Sequence, residues 1–198
     1  ALAWSPDGKT IAAGYFGVRS EQQRPNDRAT HLIEGGGVRL WSVGKADNDI
    51  TLAASTTLLK DGSVYSLRYN ADGSKLAMLA EYAHLVYSDD TLGRDRLLVY
   101  AADSDKVIYD ALTDRTESLH DDRVTHGANG LEWTGDQLTV IRSIGEGRQH
   151  FSILDAVGNG IRSQDSYIDR DFFWATLTAV GWNEDGTQLA ISAITSVN

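Results

Sequence analysis

The chain has 198 residues, enough for one domain of ordinary size, and carries 18 lysines and arginines against 28 aspartates and glutamates, a net charge of −10. That balance argues against nonspecific binding to nucleic acid, which needs basic surface to displace counterions from phosphates, and against an anionic membrane for the same reason. Cysteine is absent, which excludes disulfides, thiolate chemistry and cysteine-built zinc sites.

The chain opens in a predicted strand, Ala1-Leu2-Ala3-Trp4, followed by Ser5-Pro6-Asp7-Gly8 and a returning run, Ile11-Ala12-Ala13. After a long segment (residues 17–36) comes the strand Gly37-Val38-Arg39-Leu40-Trp41-Ser42-Val43. Next are Thr56-Thr57-Leu58-Leu59, the pair Asp61-Gly62, and Val64-Tyr65-Ser66-Leu67-Arg68-Tyr69. Asn70-Ala71-Asp72-Gly73 and Leu76-Ala77-Met78 follow, then a second long segment (81–96) and Leu97-Leu98-Val99-Tyr100. Residues 107–119 hold a further strand. Trp133-Thr134-Gly135-Asp136 then precedes Leu138-Thr139-Val140, with Phe151-Ser152-Ile153-Leu154 downstream. The last part offers strands near 162–168 and 178–182, then Asn183-Glu184-Asp185-Gly186 and Leu189-Ala190-Ile191.

One phrase thus occurs four times: an aromatic, an Asp three residues later, then apolar alternation. Each copy predicts a hairpin closed by a two-residue Asp-Gly turn. In the third copy Gln137 stands where the turn glycine is expected. The anchors Trp4, Tyr69, Trp133 and Trp182 lie 65, 64 and 49 residues apart. Repeats at such spacing belong to architectures in which one unit cannot bury its own faces and neighbours are required.

Val38-Arg39-Leu40-Trp41-Ser42-Val43 resembles the D strand of a WD repeat, with Ser42 where the family's Asp usually stands. Asp61 to Ala77 is similar to that family's A–B–C passage, and Trp4-Ser5-Pro6-Asp7-Gly8-Lys9 to both WD and TolB-like repeats. The family's Gly-His pair before strand B is missing; Lys60-Asp61 stands nearest to it. The resemblance implies an all-β propeller of about four four-stranded antiparallel blades in one domain, with units near 1–49, 50–105, 106–160 and 161–198. In this frame the first blade lacks strand A and the last lacks strand D. The chain is then part of a larger ring, its remaining blades supplied by the parent chain or another subunit. An open stack would leave bare edges and faces.

Strand alternation places the long segments 17–36, 81–96, 119–129 and 169–176 at one face of such a propeller, where a scaffold carries variable, functional loops. They hold His31, His84, His120 and His126, no two at a strand-alternation spacing, with many carboxylates and aromatics. Aromatics dominate binding hot spots, so the expected recognition residues are Tyr82, Tyr87, Phe173 and Trp174, with the charged Asp89, Asp90 and Arg94 beside them. His120, Asp122 and His126 form the densest potential metal set. No other cofactor is expected.

Other motifs fail. No Asp-x-Asp-x-Asp-Gly calcium loop, Walker A lysine or Gly-x-Ser-x-Gly elbow is present, and no carboxylate pair is placed for glycoside chemistry. The expectation is a noncatalytic scaffold that binds a protein or peptide on the long-loop face. The alternatives are a propeller accessory to a serine peptidase outside this chain, and a metal-dependent hydrolase or lactonase. The WD-like D strand and the absence of any Asn-x-Ser/Thr sequon lean toward the cytoplasm; no bilayer-spanning run is visible, and the chain begins inside a strand, so a missing secretory signal decides nothing.

Overall fold

In the computed structural model, the described residues are 1–23, 29–46, 49–82, 84–85, 95–104, 106–113, 127–143, 148–154, 160–167 and 175–195, with side chains described for 1–18, 34–44, 50–53, 56–80, 97–104, 106–110, 130–140, 180–190 and 192. They form seventeen strands and no helix. In chain order these are β1 (Leu2–Trp4), β2 (Thr10–Tyr15), β3 (Val18–Gln23), β4 (Ala29–Glu34), β5 (Gly37–Ala46), β6 (Asp49–Lys60), β7 (Gly62–Tyr69), β8 (Lys75–Tyr82) and β9 (His84–Leu85). Then come β10 (Asp95–Ala101), β11 (Lys106–Thr113), β12 (Gly127–Thr134), β13 (Gln137–Ser143), β14 (Arg148–Leu154), β15 (Gly160–Tyr167), β16 (Ala175–Trp182) and β17 (Leu189–Thr195). The chain divides into two compact units, 1–119 and 120–198.

Unit one contains the antiparallel sheets β1-β2-β5-β6 and β7-β8-β10-β11, and unit two contains β12-β13-β14-β15 and the pair β16-β17. In each, the hairpin built on the recurring phrase forms the first two strands. This is the blade pattern of a β-propeller. The pairing shifts the expected unit frame by one strand. Residues 56–59, read as opening the second unit, lie in β6, which pairs with β5 from Gly37↔Lys60 to Ala46↔Asp49. β11 likewise pairs with β10, and β15 with β14. Each strand expected to begin a unit therefore closes the preceding sheet. The first sheet is consequently four-stranded, and the sheets span 2–60, 62–113, 127–167 and 175–195 rather than 1–49, 50–105, 106–160 and 161–198.

Asp61 explains the shift. It sits between β6 and β7 at φ 61°, a left-handed conformation that Asp tolerates better than most residues. This corner carries the chain from the first sheet into the second.

The turns also differ from expectation in three copies. Trp4 pairs with Ile11 and Tyr69 with Leu76, so the loops are wider than two residues. Side chains close them. Ser5 Oγ accepts the Thr10 N–H at 2.9 Å, Asn70 Oδ1 that of Lys75 at 2.8 Å, and Asn183 Oδ1 that of Gln188 at 2.8 Å. The third copy is the true two-residue turn, because Thr134 pairs directly with Gln137. Its glycine has not been lost but stands earlier, as Gly135 at φ 55°. The tighter turn offers the Thr134 hydroxyl no such N–H, and that Oγ1 is buried without a hydrogen-bond partner.

A feature invisible in the sequence recurs in three of the sheets. The ladder between first and second strands slips at Tyr65 in β7, at Asn129 in β12 and at Thr178 in β16, each four residues before the anchoring aromatic. Bulges at one repeated position bend equivalent strands in the same way.

Burial of the alternating residues then stacks the sheets. Ala3, Ala12, Val38, Leu40 and Leu59 of the first sheet pack against Val64, Leu67, Leu76, Met78, Ala80, Leu98 and Tyr100 of the second. Ala77, Leu79, Leu97 and Val99 are buried as well, so the second sheet is covered on both faces. Close approach is permitted by Gly14, where a Cβ would stand 2.6 Å from Val64 Cγ1. Leu58 is skipped in the β5–β6 ladder, and its carbonyl accepts the Tyr100 hydroxyl at 2.9 Å, a hydrogen bond from sheet to sheet. In unit two the Trp182 indole N–H donates to the buried Thr139 Oγ1 at 2.9 Å, linking the fourth sheet to the third.

Candidate interaction surface

The insertion-bearing end of unit one is built on a corner of backbone. β2 ends at Tyr15 opposite Gly37, β6 ends at Lys60, and β7 begins at Gly62 opposite Tyr82, all at this end of the two sheets. The Asp61 N–H donates to the Gly36 carbonyl at 3.1 Å, the Gly35 N–H to Asp61 Oδ1 at 3.1 Å, and the Gly17 N–H to Ser63 Oγ at 3.1 Å. At Gly36 a Cβ would lie 1.9 Å from the Gly62 carbonyl oxygen, so only glycine permits this crossing. The two ends of the first insertion are thereby fixed to the start of the second sheet.

Large apolar side chains stand exposed on this corner. Phe16 is 64 % exposed and Val18 73 %, with Tyr15 and Tyr65 also open. The Phe16 and Tyr65 rings meet edge to face, centroids 5.6 Å apart at 71°. Tyr65 occupies the bulge of β7, a position where the ladder no longer dictates side-chain direction. Exposed aromatics held by a hydrogen-bonded backbone offer rigid apolar area with little rotamer entropy left to lose on binding.

The insertions are not plain loops, as the sequence suggested. Residues 18–34 carry the hairpin β3–β4, and β9 from the second insertion pairs with β4, making a three-stranded sheet. The polar composition of Arg19-Ser20-Glu21-Gln22-Gln23 hides these strands from a hydrophobic-period reading.

Of the recognition residues expected from sequence, Tyr82 ends β8 at this same end of the sheet. Tyr87, Asp89, Asp90, Phe173 and Trp174 lie outside the described residues, as do His120, Asp122, His126 and Arg94. Phe16 and Tyr65 were missed. The signal available was an aromatic before Gly17 at the mouth of a long insertion. Among the residues whose side chains are described, no group of three or more histidine, aspartate or glutamate side chains is placed to hold a metal ion.

The perturbed carboxylates lie at the opposite end of the sheets, in the turns. Asp7, Asp72 and Asp185 are all held below the usual aspartate value of 3.8. Hydroxyl hydrogen bonds from Ser5, Ser74 and Thr187 are the largest cause, followed by backbone N–H groups of Lys9, Ser74 and Thr187. These groups serve the turns. Lys9 stands 3.6 Å from Asp7, an exposed pair of little energetic weight.

No family model and no curated protein matches the sequence. Solved structures do. The chain resembles one chain of a crystal structure of the mitotic checkpoint complex, with a TM-score of 0.51 at 17% identity, covering 96% of this chain and 42% of that one. It spans less than half of that neighbour, and at this identity the likeness establishes the β-propeller fold alone. A match to puromycin hydrolase has a TM-score of 0.28 at 15% identity, covering 98% of this chain and 33% of that one. A likeness that weak carries no argument.

Proposed function

We propose that this protein is a noncatalytic, WD-repeat-like propeller scaffold that captures a protein or peptide segment at the insertion-bearing end of its first two sheets. The exposed Phe16–Tyr65 pair on the hydrogen-bonded corner carries the reading. Tyr15 and Val18 extend the apolar area. Tyr82, Tyr87, Asp89, Asp90 and Arg94, by their place in sequence in or after β8, belong to the same proposed surface. Phe173 and Trp174, also expected as recognition residues, precede β16 in the connection from the third sheet to the fourth. The net charge of −10 favours a basic partner. This reading is preferred to a peptidase-associated role because it needs only surface that this chain itself carries.

Selection of a phage-displayed peptide library on the immobilised chain tests it. Enriched peptides are expected to be basic and apolar. The Phe16→Ala/Tyr65→Ala variant is expected to bind them about 30-fold more weakly or worse, the loss of roughly 2 kcal/mol that defines a hot spot, with its melting temperature nearly unchanged. Equal binding by wild type and variant would place recognition elsewhere.

A further inference from the structure

The recurring aromatics rest on the sheet before their own. Tyr69 of the second sheet packs against the buried cluster it shares with the first, and the Trp182 indole of the fourth donates to Thr139 of the third. Trp4 holds the same position in the first sheet, directly before its turn, and is 50 % exposed. The turns repeat the relation. A Cβ on Gly73 would meet Pro6 of the preceding turn at 3.1 Å, and one on Gly186 would meet Thr134 of the preceding turn at 2.6 Å. Gly8 is the equivalent glycine of the first turn, at φ 70° against 74° and 69°, and nothing lies within 4 Å of the Cβ it would carry.

Trp4 belongs to a bare apolar face. Ala3, Ala12 and Leu40 form one row across β1, β2 and β5 and are buried toward the second sheet. The adjoining row, Trp4, Ile11 and Trp41, falls on the other side by alternation. Leu2 joins it on β1, and Leu52, the direct partner of Val43, joins it on β6. Leu2, Ile50 and Leu52 stand exposed. The apolar face thus spans all four strands of the sheet.

We propose that this face is a sheet-to-sheet interface, and that its occupant is a further four-stranded propeller blade of the same polypeptide, encoded outside residues 1–198. The occupant sets a turn side chain on Gly8, as Pro6 sits on Gly73. Its second strand carries a small or hydroxyl residue beneath Trp4, as Thr139 lies beneath Trp182. Its outer strands reach β6 and cover Ile50 and Leu52, since a sheet buries its apolar faces only against neighbours. A second copy of the chain fits less well. Its fourth sheet offers β16 and β17 alone among the described residues, too narrow to span from β1 to β6. Its first sheet would bring aromatic-bearing face against aromatic-bearing face, whereas the second sheet turns its Tyr69 face to the opposite side of the first. The same polypeptide is the source because this chain spans 42% of the single propeller chain it resembles. The proposal rests on the fold and not on the peptide-binding reading, so either can fail alone.

Hydroxyl-radical footprinting read by mass spectrometry, on the 198-residue chain and on the full-length product of its gene, tests it. In the shorter chain Trp4, Leu2 and Leu52 are expected to be oxidised readily, and Trp182 slowly. In the full-length product the rate at Trp4 is expected to fall several-fold, to that of Trp182, with Leu2 and Leu52 falling alongside at every protein concentration. The comparison of Trp4 with Trp182 inside the full-length product decides the matter even where the shorter chain unfolds. Trp4 still oxidised much faster than Trp182 there overturns the proposal, as does a gene product no longer than 198 residues. Protection that grows with protein concentration assigns the face to a second copy and overturns it too. Phe16 and Tyr65 are read in the same spectra and report on the recognition corner separately.

Discussion

Asp72 shows how one side chain shapes a turn. Its carboxylate accepts the Ser74 N–H at 2.8 Å while buried Asn70 fastens the other side of the loop to Lys75 and Ser74. The Ser74 hydroxyl, and after it the Ser74 N–H, favour the charged carboxylate and hold the Asp72 pKa below 3.8. The sign follows from linkage. A group whose folded pKa is depressed stabilises the fold above its unfolded value, and that contribution fades as pH falls through the folded value. Asp72→Asn is therefore expected to lower the melting temperature at neutral pH. The gap between variant and wild type should close progressively as the buffer is taken below pH 3.8. Thermal melts across that range check it; a gap independent of pH would assign the effect to shape rather than charge. The Asp was legible in the sequence as a turn former. The partner that widens the loop was not, because it is a serine in one copy, Ser5, and an asparagine in two others, Asn70 and Asn183, alike only in position and in carrying a side-chain acceptor.

The packing of one strand on the next sheet turns on Gly14. It lies in β2, and a Cβ there would meet Val64 Cγ1 at 2.6 Å, Val64 Cβ at 2.9 Å and Leu67 Cδ1 at 3.2 Å. Val64 and Leu67 are fully buried, and a β-branched valine has little room to swing aside. Gly14→Ala is expected to destabilise unit one by about 1–3 kcal/mol, the usual cost of overpacking. Urea unfolding measures this, and an unchanged midpoint would mean that the two sheets stand further apart. Outer strands were harder to read than inner ones. The hairpins announce themselves through aromatic, Asp and alternation. β6, β11 and β15 carry no such mark, and their allegiance follows from ladder pairing.

The first sheet has a second face, turned away from its neighbour. Leu2, Trp4, Ile50 and Leu52 stand exposed there, with Ile11 and Trp41 partly covered. In a closed propeller each blade is covered on both sides, and this chain spans 42% of the checkpoint-complex neighbour. The 198-residue chain on its own is therefore expected to bind a hydrophobic dye such as anilinonaphthalene sulfonate. Leu2→Lys/Leu52→Lys should remove most of the fluorescence. Dye fluorescence unaffected by the pair of lysines would locate the apolar patch elsewhere.

Short-range chemistry was open to reading from the residues alone. An aromatic strand end, an Asp that takes a nearby N–H and an alternating return run act within a few positions of one another, so the four hairpins and the all-β class follow from the order of the amino acids. Long-range pairing was not. Whether β6 joins the sheet before it or after it depends on the left-handed corner at Asp61 and on a ladder with β5. His31 opposite His84, and Phe16 against Tyr65, exist only because insertions and strands distant in the chain meet after the sheets have stacked. Contacts of that kind leave no local period for a sequence to display.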